Sequence, residues 1–343
     1  MMRSSDLALF RAWPGLRSRI PRCAFIEGTT PVEPLELEGL PKGRVFIKRD
    51  DLCCSLYGGN KPRKLEFVLA RALTRSAQRL VTTGAHGSHH ALATTVLGRS
   101  VGLSTSLVLV PQPAAPEVDA MLAQDARFGA EIVYARGVAD AGLKTAVVLV
   151  RSLIRGEHPY LLRTGGSSAV GNLGFVSAAL ELVEQIKAGE LDTPDEIYVP
   201  IGTGGTLVGL VLGFALARIR VRVHGVLVTD ILSPSPRRLL RMARSTFALL
   251  HRAAPSIQPP PIDAGHFIVD RSELGRGYGY PTRAALAARA AADDVWIPLE
   301  TTYTAKCLAA LQREARAGKH GCGPILFWNT HSSVNPKLDR LAA

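Results

Sequence analysis

Along most of the chain, short runs rich in branched apolar residues alternate with longer segments whose apolar positions recur every three or four residues. The runs 45–48, 80–83, 106–110, 131–134, 197–200, 221–228 and 325–328 read as strands. Between them, 63–75, 89–101, 116–128, 171–187, 205–218, 281–292 and 303–317 read as helices. In the first of these, Leu65, Val68, Leu69, Ala72 and Leu73 make one face to be buried. Repeated strand-then-helix order predicts an α/β fold of open, twisted parallel sheets covered by helices. In such folds function gathers in loops beyond the C-terminal ends of the strands.

Composition narrows the class. The chain has 343 residues, 47% hydrophobic and 20% charged, which is enough for a large core and one to three domains. Its longest apolar runs, 106–111 and 207–216, are too short for a membrane helix, and no apolar segment with a small-residue cleavage site opens the sequence. Five cysteines, an odd number without a Cys-x-x-Cys motif, suggest reduced thiols and a cytoplasmic setting. The adjacent Cys53 and Cys54 read as small buried side chains. The formal charge of +12 raises nucleic-acid binding, but the positive residues are spread out. Their densest stretch, 237–252, alternates arginines with leucines as an amphipathic helix and lacks aromatics for base stacking. No nucleic-acid partner is expected. The stretch 253–263, with Pro259, Pro260 and Pro261, reads as a loop.

Three glycine-rich loops suggest chemistry. In the first, Gly58-Gly59-Asn60-Lys61-Pro62-Arg63-Lys64 opens a helix beginning near Arg63. Glycines let a ligand approach the backbone, and neighbouring cations Arg63 and Lys64 would lower the pKa of Lys61 toward the neutral amine that Schiff-base chemistry needs. A solvated lysine at a helix start fits the same string. In the second, Gly202-Thr203-Gly204-Gly205-Thr206 lies between a strand and a helix. Successive N–H groups and threonine hydroxyls there suit a phosphate, although a plain helix-start turn has the same composition. Leu207 breaks a dinucleotide fingerprint, and no Gly-Lys-Ser/Thr follows. The third, Gly84-Ala85-His86-Gly87-Ser88-His89-His90, makes Ser88 a helix N-cap. Its three histidines have no second ligand cluster, so no metal is expected.

These loops, in this order and spacing, resemble the 1-aminocyclopropane-1-carboxylate (ACC) deaminase and D-cysteine desulfhydrase family of tryptophan-synthase-β-like, fold type II enzymes dependent on pyridoxal 5′-phosphate. The likeness extends from Thr30-Pro31-Val32-Glu33-Pro34-Leu35 through Ile47-Lys48-Arg49-Asp50-Asp51-Leu52, Gly165-Gly166-Ser167 with Gly171 and Gly174, and Gly277-Tyr278-Gly279-Tyr280-Pro281-Thr282 to Tyr303-Thr304-Ala305-Lys306. The resemblance implies pyridoxal phosphate in a cleft between two domains, a larger one of 1–62 plus 175–343 and an inserted smaller one of 63–174. It implies that Lys61 carries the cofactor as a Schiff base and moves the α-proton of a small amino acid, with Ser88 and Tyr303 as catalytic partners. Asn60, Lys64, His89, Gly202, Thr203, Gly204, Gly205, Thr206, Thr304 and Thr330 would touch the cofactor. Ser88, His89, His90, Gly166 and Tyr303 would touch the substrate. Relatives suggest a homodimer.

Three positions depart from the family pattern: His89 replaces an asparagine, Thr304 replaces the glutamate that ACC deaminases place near the pyridine nitrogen, and Asn329-Thr330-His331-Ser332-Ser333 replaces His-Thr-Gly-Gly. A threonine at 304 implies a weaker electron sink and points to the desulfhydrase branch, with elimination from D-cysteine to a 2-oxo acid and ammonia. β-Replacement, racemisation and non-catalytic binding of the cofactor or an amino acid are the alternatives.

Overall fold

The computed structural model describes residues 6–231 and 234–341. Its strands are β1 (Val32–Pro34), β2 (Val45–Lys48), β3 (Arg79–Ala85), β4 (Ser104–Val110), β5 (Glu131–Tyr134), β6 (Pro159–Leu162), β7 (Glu196–Ile201), β8 (Arg222–Leu227), β9 (Phe267–Asp270) and β10 (Ile325–Trp328). The helices are α1 (Ala8–Ala12), α2 (Asn60–Leu73), α3 (His89–Ser100), α4 (Pro116–Arg127), α5 (Val138–Ile154), α6 (Leu173–Lys187), α7 (Gly205–Leu216), α8 (Pro236–Ala253), α9 (Arg283–Asp293) and α10 (Thr304–Arg316). One sheet has the order β1-β2-β10-β7-β8-β9, the other β5-β4-β3-β6. Both are parallel except where the short edge strand β1 pairs antiparallel with β2. The central strands β7 and β10 are buried at every position, as a parallel strand covered on both faces must be.

Helices α6 and α7 pack very closely, which fixes the loop that precedes α7. Side chains at Gly209 and Gly213 would run into Phe175, Ala179 and the backbone of α6, so only glycine permits this approach. On the other side of α6, Glu181 takes part in a buried network. Arg63 of α2 donates to Asp50 and Glu181, Lys48 Nζ lies 2.8 Å from Glu181, and Trp328 Nε1 donates to Asp50 at 2.7 Å. Burial pushes the Glu181 carboxyl up, but Arg63 and Lys48 reverse this and hold it at about 2. The network ties α2 to β2, α6 and β10 across both ends of the sequence.

Six described elements differ from the pattern-based reading: α1, α2, α5, β1, β6 and β9. Helix α5 lies outside the segments read as helices; besides its buried Ala141, Thr145 and Val148 it carries Leu143, Val147, Val150, Leu153 and Ile154 on its exposed face. Strands β1, β6 and β9 are three or four residues long and have exposed or half-buried positions, too brief to show a period. Finally, α2 starts at Asn60 rather than near Arg63, with Pro62 in its first turn, where a missing N–H costs no hydrogen bond.

Candidate active site

The C-terminal ends of β3, β4, β7 and β8 and the starts of α2, α3, α5 and α7 surround a cavity of about 330 Å³. Lys61 and Lys64 are its two lysines. They lie three apart on α2 and therefore project from one face, whereas Arg63 points away into the Asp50–Glu181 network. This corrects the expected cause of the Lys61 shift. Its amine does fall, to about 8, but because it is closed in by protein; Glu300 opposes the change and Arg63 takes no part. Lys61 Nζ donates to Asn60 Oδ1 at 2.7 Å and stands 5.8 Å from the centre of the Tyr303 ring. Asn60 is held in turn by Nδ2 against Thr206 Oγ1 at 3.2 Å.

Lys64 is buried, and burial and then the charge of Lys61 push its amine well below the ordinary lysine range. It reaches Gly165 O at 3.4 Å and Ser167 Oγ at 3.3 Å, and Ser167 Oγ is 2.5 Å from Thr203 Oγ1. The 202–206 loop closes this end. Gly204 has φ +85°, and a side chain there would strike Leu239, so the left-handed turn into α7 requires glycine. The N-terminus of α7 has no side-chain cap. Its first N–H groups and positive dipole end face the cavity, a ready anion site.

Ser88 caps α3, its Oγ accepting from the backbone N–H of Ala91 at 3.3 Å, and it also lines the cavity. Capping and site roles coexist, since the hydroxyl keeps its proton to donate. His90 lines the cavity with Nε2 3.1 Å from Thr82 Oγ1, while its buried Nδ1 lacks a partner. Tyr303 donates to the Tyr278 hydroxyl at 3.2 Å, and burial pushes its phenol well above 10.

Behind Lys61 lies a narrow extension of the cavity lined by Tyr57, Asn60, Lys61, His89, Glu300, Tyr303, Thr330 and His331. His89 and Thr330 thus meet Lys61 here. Two expected residues do not reach the cavity wall. Gly166 packs behind Lys64 and His90, leaving Thr164 and Gly165 exposed to the cavity. Thr304 is fully buried, its Oγ1 accepting from Glu300 N at 3.0 Å and lying 3.2 Å from Glu300 Oε1. An acid does line the site: Glu300, steadied by the N–H groups of Thr302, Tyr303 and Thr304. It sits four residues before the position the pattern pointed to, in the turn leading into α10, so counting positions from the motif missed it. Tyr57, Tyr278, Thr164 and Thr229 are further wall residues that no local motif marked as contacts.

These residues fit pyridoxal phosphate. The main cavity holds two lysines, no carboxylate lines it, and none of the described carboxylates pairs with Lys64. Two buried amines with an uncapped helix start suit an anion, and burial that lowers Lys61 to about 8 makes available the neutral amine that attack on an aldehyde requires. Only the neutral amine attacks an aldehyde, so the rate of cofactor uptake is expected to rise with pH to about 8 and then level off. Visible absorbance followed after mixing protein with pyridoxal phosphate checks this; a rate still climbing at pH 10 would contradict it.

Known proteins agree with the geometry. A family model described as pyridoxal-phosphate dependent enzyme matches residues 24–330. The D-cysteine desulfhydrases of Salmonella paratyphi A and Salmonella typhimurium are each 30% identical over 321 residues, covering 91% of this chain and 94% of theirs. The crystal structure of an ACC deaminase homologue superposes with a TM-score of 0.78 at 30% identity, over 94% of each chain. An O-ureido-L-serine-bound mutant of O-ureido-L-serine synthase, 14% identical, shares the fold with a TM-score of 0.59 over 95% of this chain and 90% of that one. Site and relatives together place the chain among the pyridoxal-phosphate dependent enzymes, in the family of the D-cysteine desulfhydrases and ACC deaminases.

Proposed function

We propose that this enzyme is a lyase that eliminates the β-substituent of a small amino acid, D-cysteine first, and releases a 2-oxo acid and ammonia. Its reaction would run between a unit of residues 1–62 plus 175–343 and an inserted unit of 63–174. One observation supports this most: Lys61, with an amine near 8, stands between a phosphate-type helix start and the Tyr303–Tyr278 phenol pair.

Bound pyridoxal phosphate supplies an electron sink and an aldehyde for covalent attachment. The N–H groups of 202–206 and the amine of Lys64 would hold its phosphate, next to which Lys64 would bind a proton more readily. Ser88, anchored as a cap, donates its hydroxyl proton to the substrate carboxylate. The Lys61 amine removes the α-proton, and because its pKa lies near working pH it also gives the proton back readily. Tyr303, kept protonated by burial and held by its donation to the Tyr278 hydroxyl, would turn that proton to the departing sulfur. The apolar wall of Val110, Ala141, Ile201 and Ile231 excludes a charged side chain on the substrate.

Incubation with D-cysteine, L-cysteine and ACC, with oxo acid, ammonia and sulfide measured separately, is the test. Sulfide and pyruvate in equal amounts from D-cysteine are expected. Cofactor-loaded protein that forms no oxo acid from any of the three would overturn the reading.

A further inference from the structure

The extension behind Lys61 contains an arrangement of three side chains distant in sequence. His89 Nδ1 lies 2.8 Å from the hydroxyl of Tyr57, and the His331 ring stands perpendicular to His89 with centroids 5.2 Å apart. The His331 ring meets His89 edge to face, and its buried Nδ1 has no hydrogen-bond partner among the described residues. The titratable and charged groups lining the two hollows that His89 borders are Tyr57 from the loop before α2, Lys61 from α2, Glu117 from α4, Tyr278, Arg289 from α9, Glu300 and Tyr303 from the turn before α10, and His331 after β10.

The contact with Tyr57 decides which nitrogen of His89 bears the proton. The Tyr57 phenol is buried and keeps its proton, because burial moves its titration well above 10. A buried phenol proton needs an acceptor, and the acceptor at hand is His89 Nδ1. The imidazole itself is neutral: burial, then His331 and Lys61, drive it well below the usual histidine range. A neutral ring that accepts at Nδ1 carries its proton on Nε2.

We propose that Tyr57 locks His89 as the neutral Nε2–H tautomer, and that His89 thereby acts as a positioning residue presenting one fixed donor to the cofactor beside Lys61. His89 lines the same narrow extension as Lys61, which puts the donor beside the point where the cofactor would join the chain. His331 closes the ring face, and burial above all keeps His89 uncharged. The inference rests on Lys61 as the attachment point, but the tautomer lock is made of the chain's own side chains and is readable without cofactor.

Nitrogen NMR of histidine-labelled protein, free of cofactor, reads the lock. His89 should show an unprotonated Nδ1 and a protonated Nε2, unchanged from pH 6 to 9. Tyr57→Phe should bring the two tautomers into exchange. With cofactor, the visible band of the wild type should hold its position over that pH range. His89→Asn should keep the band, because an amide also donates, whereas His89→Leu should displace it and weaken cofactor binding about tenfold. An Nδ1–H tautomer, a titration of His89 between pH 6 and 9, or a Tyr57→Phe spectrum identical to wild type would refute the lock. A wild type that shows the lock but no visible band would instead refute Lys61 as attachment point, together with the donor assignment.

Discussion

Replacing Lys61 with alanine is expected to abolish the cofactor's visible band and to lower oxo acid formation by roughly a thousandfold or more, since one amine serves as both attachment point and base. Lys64 is the control, being a second lysine in the same cavity. Its amine sits by Ser167 and Gly165, beside Thr203 at the phosphate end. Lys64→Ala should therefore keep the covalent band while weakening cofactor retention. Absorption spectra of the two variants side by side separate these roles. A band that survives in Lys61→Ala and vanishes in Lys64→Ala would exchange the two assignments.

Glu181→Ala should lower the stability of the folded chain by about 3–5 kcal/mol, far more than the loss of an exposed ion pair, because Arg63 and Lys48 would remain buried with their shared partner gone. Urea unfolding of the cofactor-free protein measures this. The same carboxylate makes stability acid-sensitive. With its folded pKa held at about 2, below the unfolded value near 4.5, its contribution is complete above the unfolded pKa and fades as pH falls toward 2. Glu181→Ala should show a correspondingly flatter stability profile in that window. Equal loss at pH 7 and pH 2 would argue that the residue acts through packing alone. The position matters for function because Arg63 is on the same helix as Lys61 and Lys64. Loosening it would be felt in cofactor retention before the chain unfolds.

The α/β order, seven of the ten described strands and the three glycine-rich loops were legible in the sequence because each is a local signal. Parallel strands buried on both faces are continuous apolar runs, and a helix start that approaches a ligand needs glycine where φ is positive, as at Gly204. Even the opposed directions of Lys61 and Arg63 follow from helical spacing, once α2 is known to begin at Asn60. Side-chain partners separated by long stretches of chain left no such trace. That Arg63 is consumed by Asp50 and Glu181, that Glu300 rather than Thr304 lines the wall, and that Tyr57 meets His89 depend on how sheets and helices pack. Residue types and spacing marked the glycine-rich helix starts and the lysines beside them. Only the tertiary structure decided the protonation of the groups around them, because burial, which lowers Lys61 and His89 and raises Tyr57, is created by the packing of the whole chain.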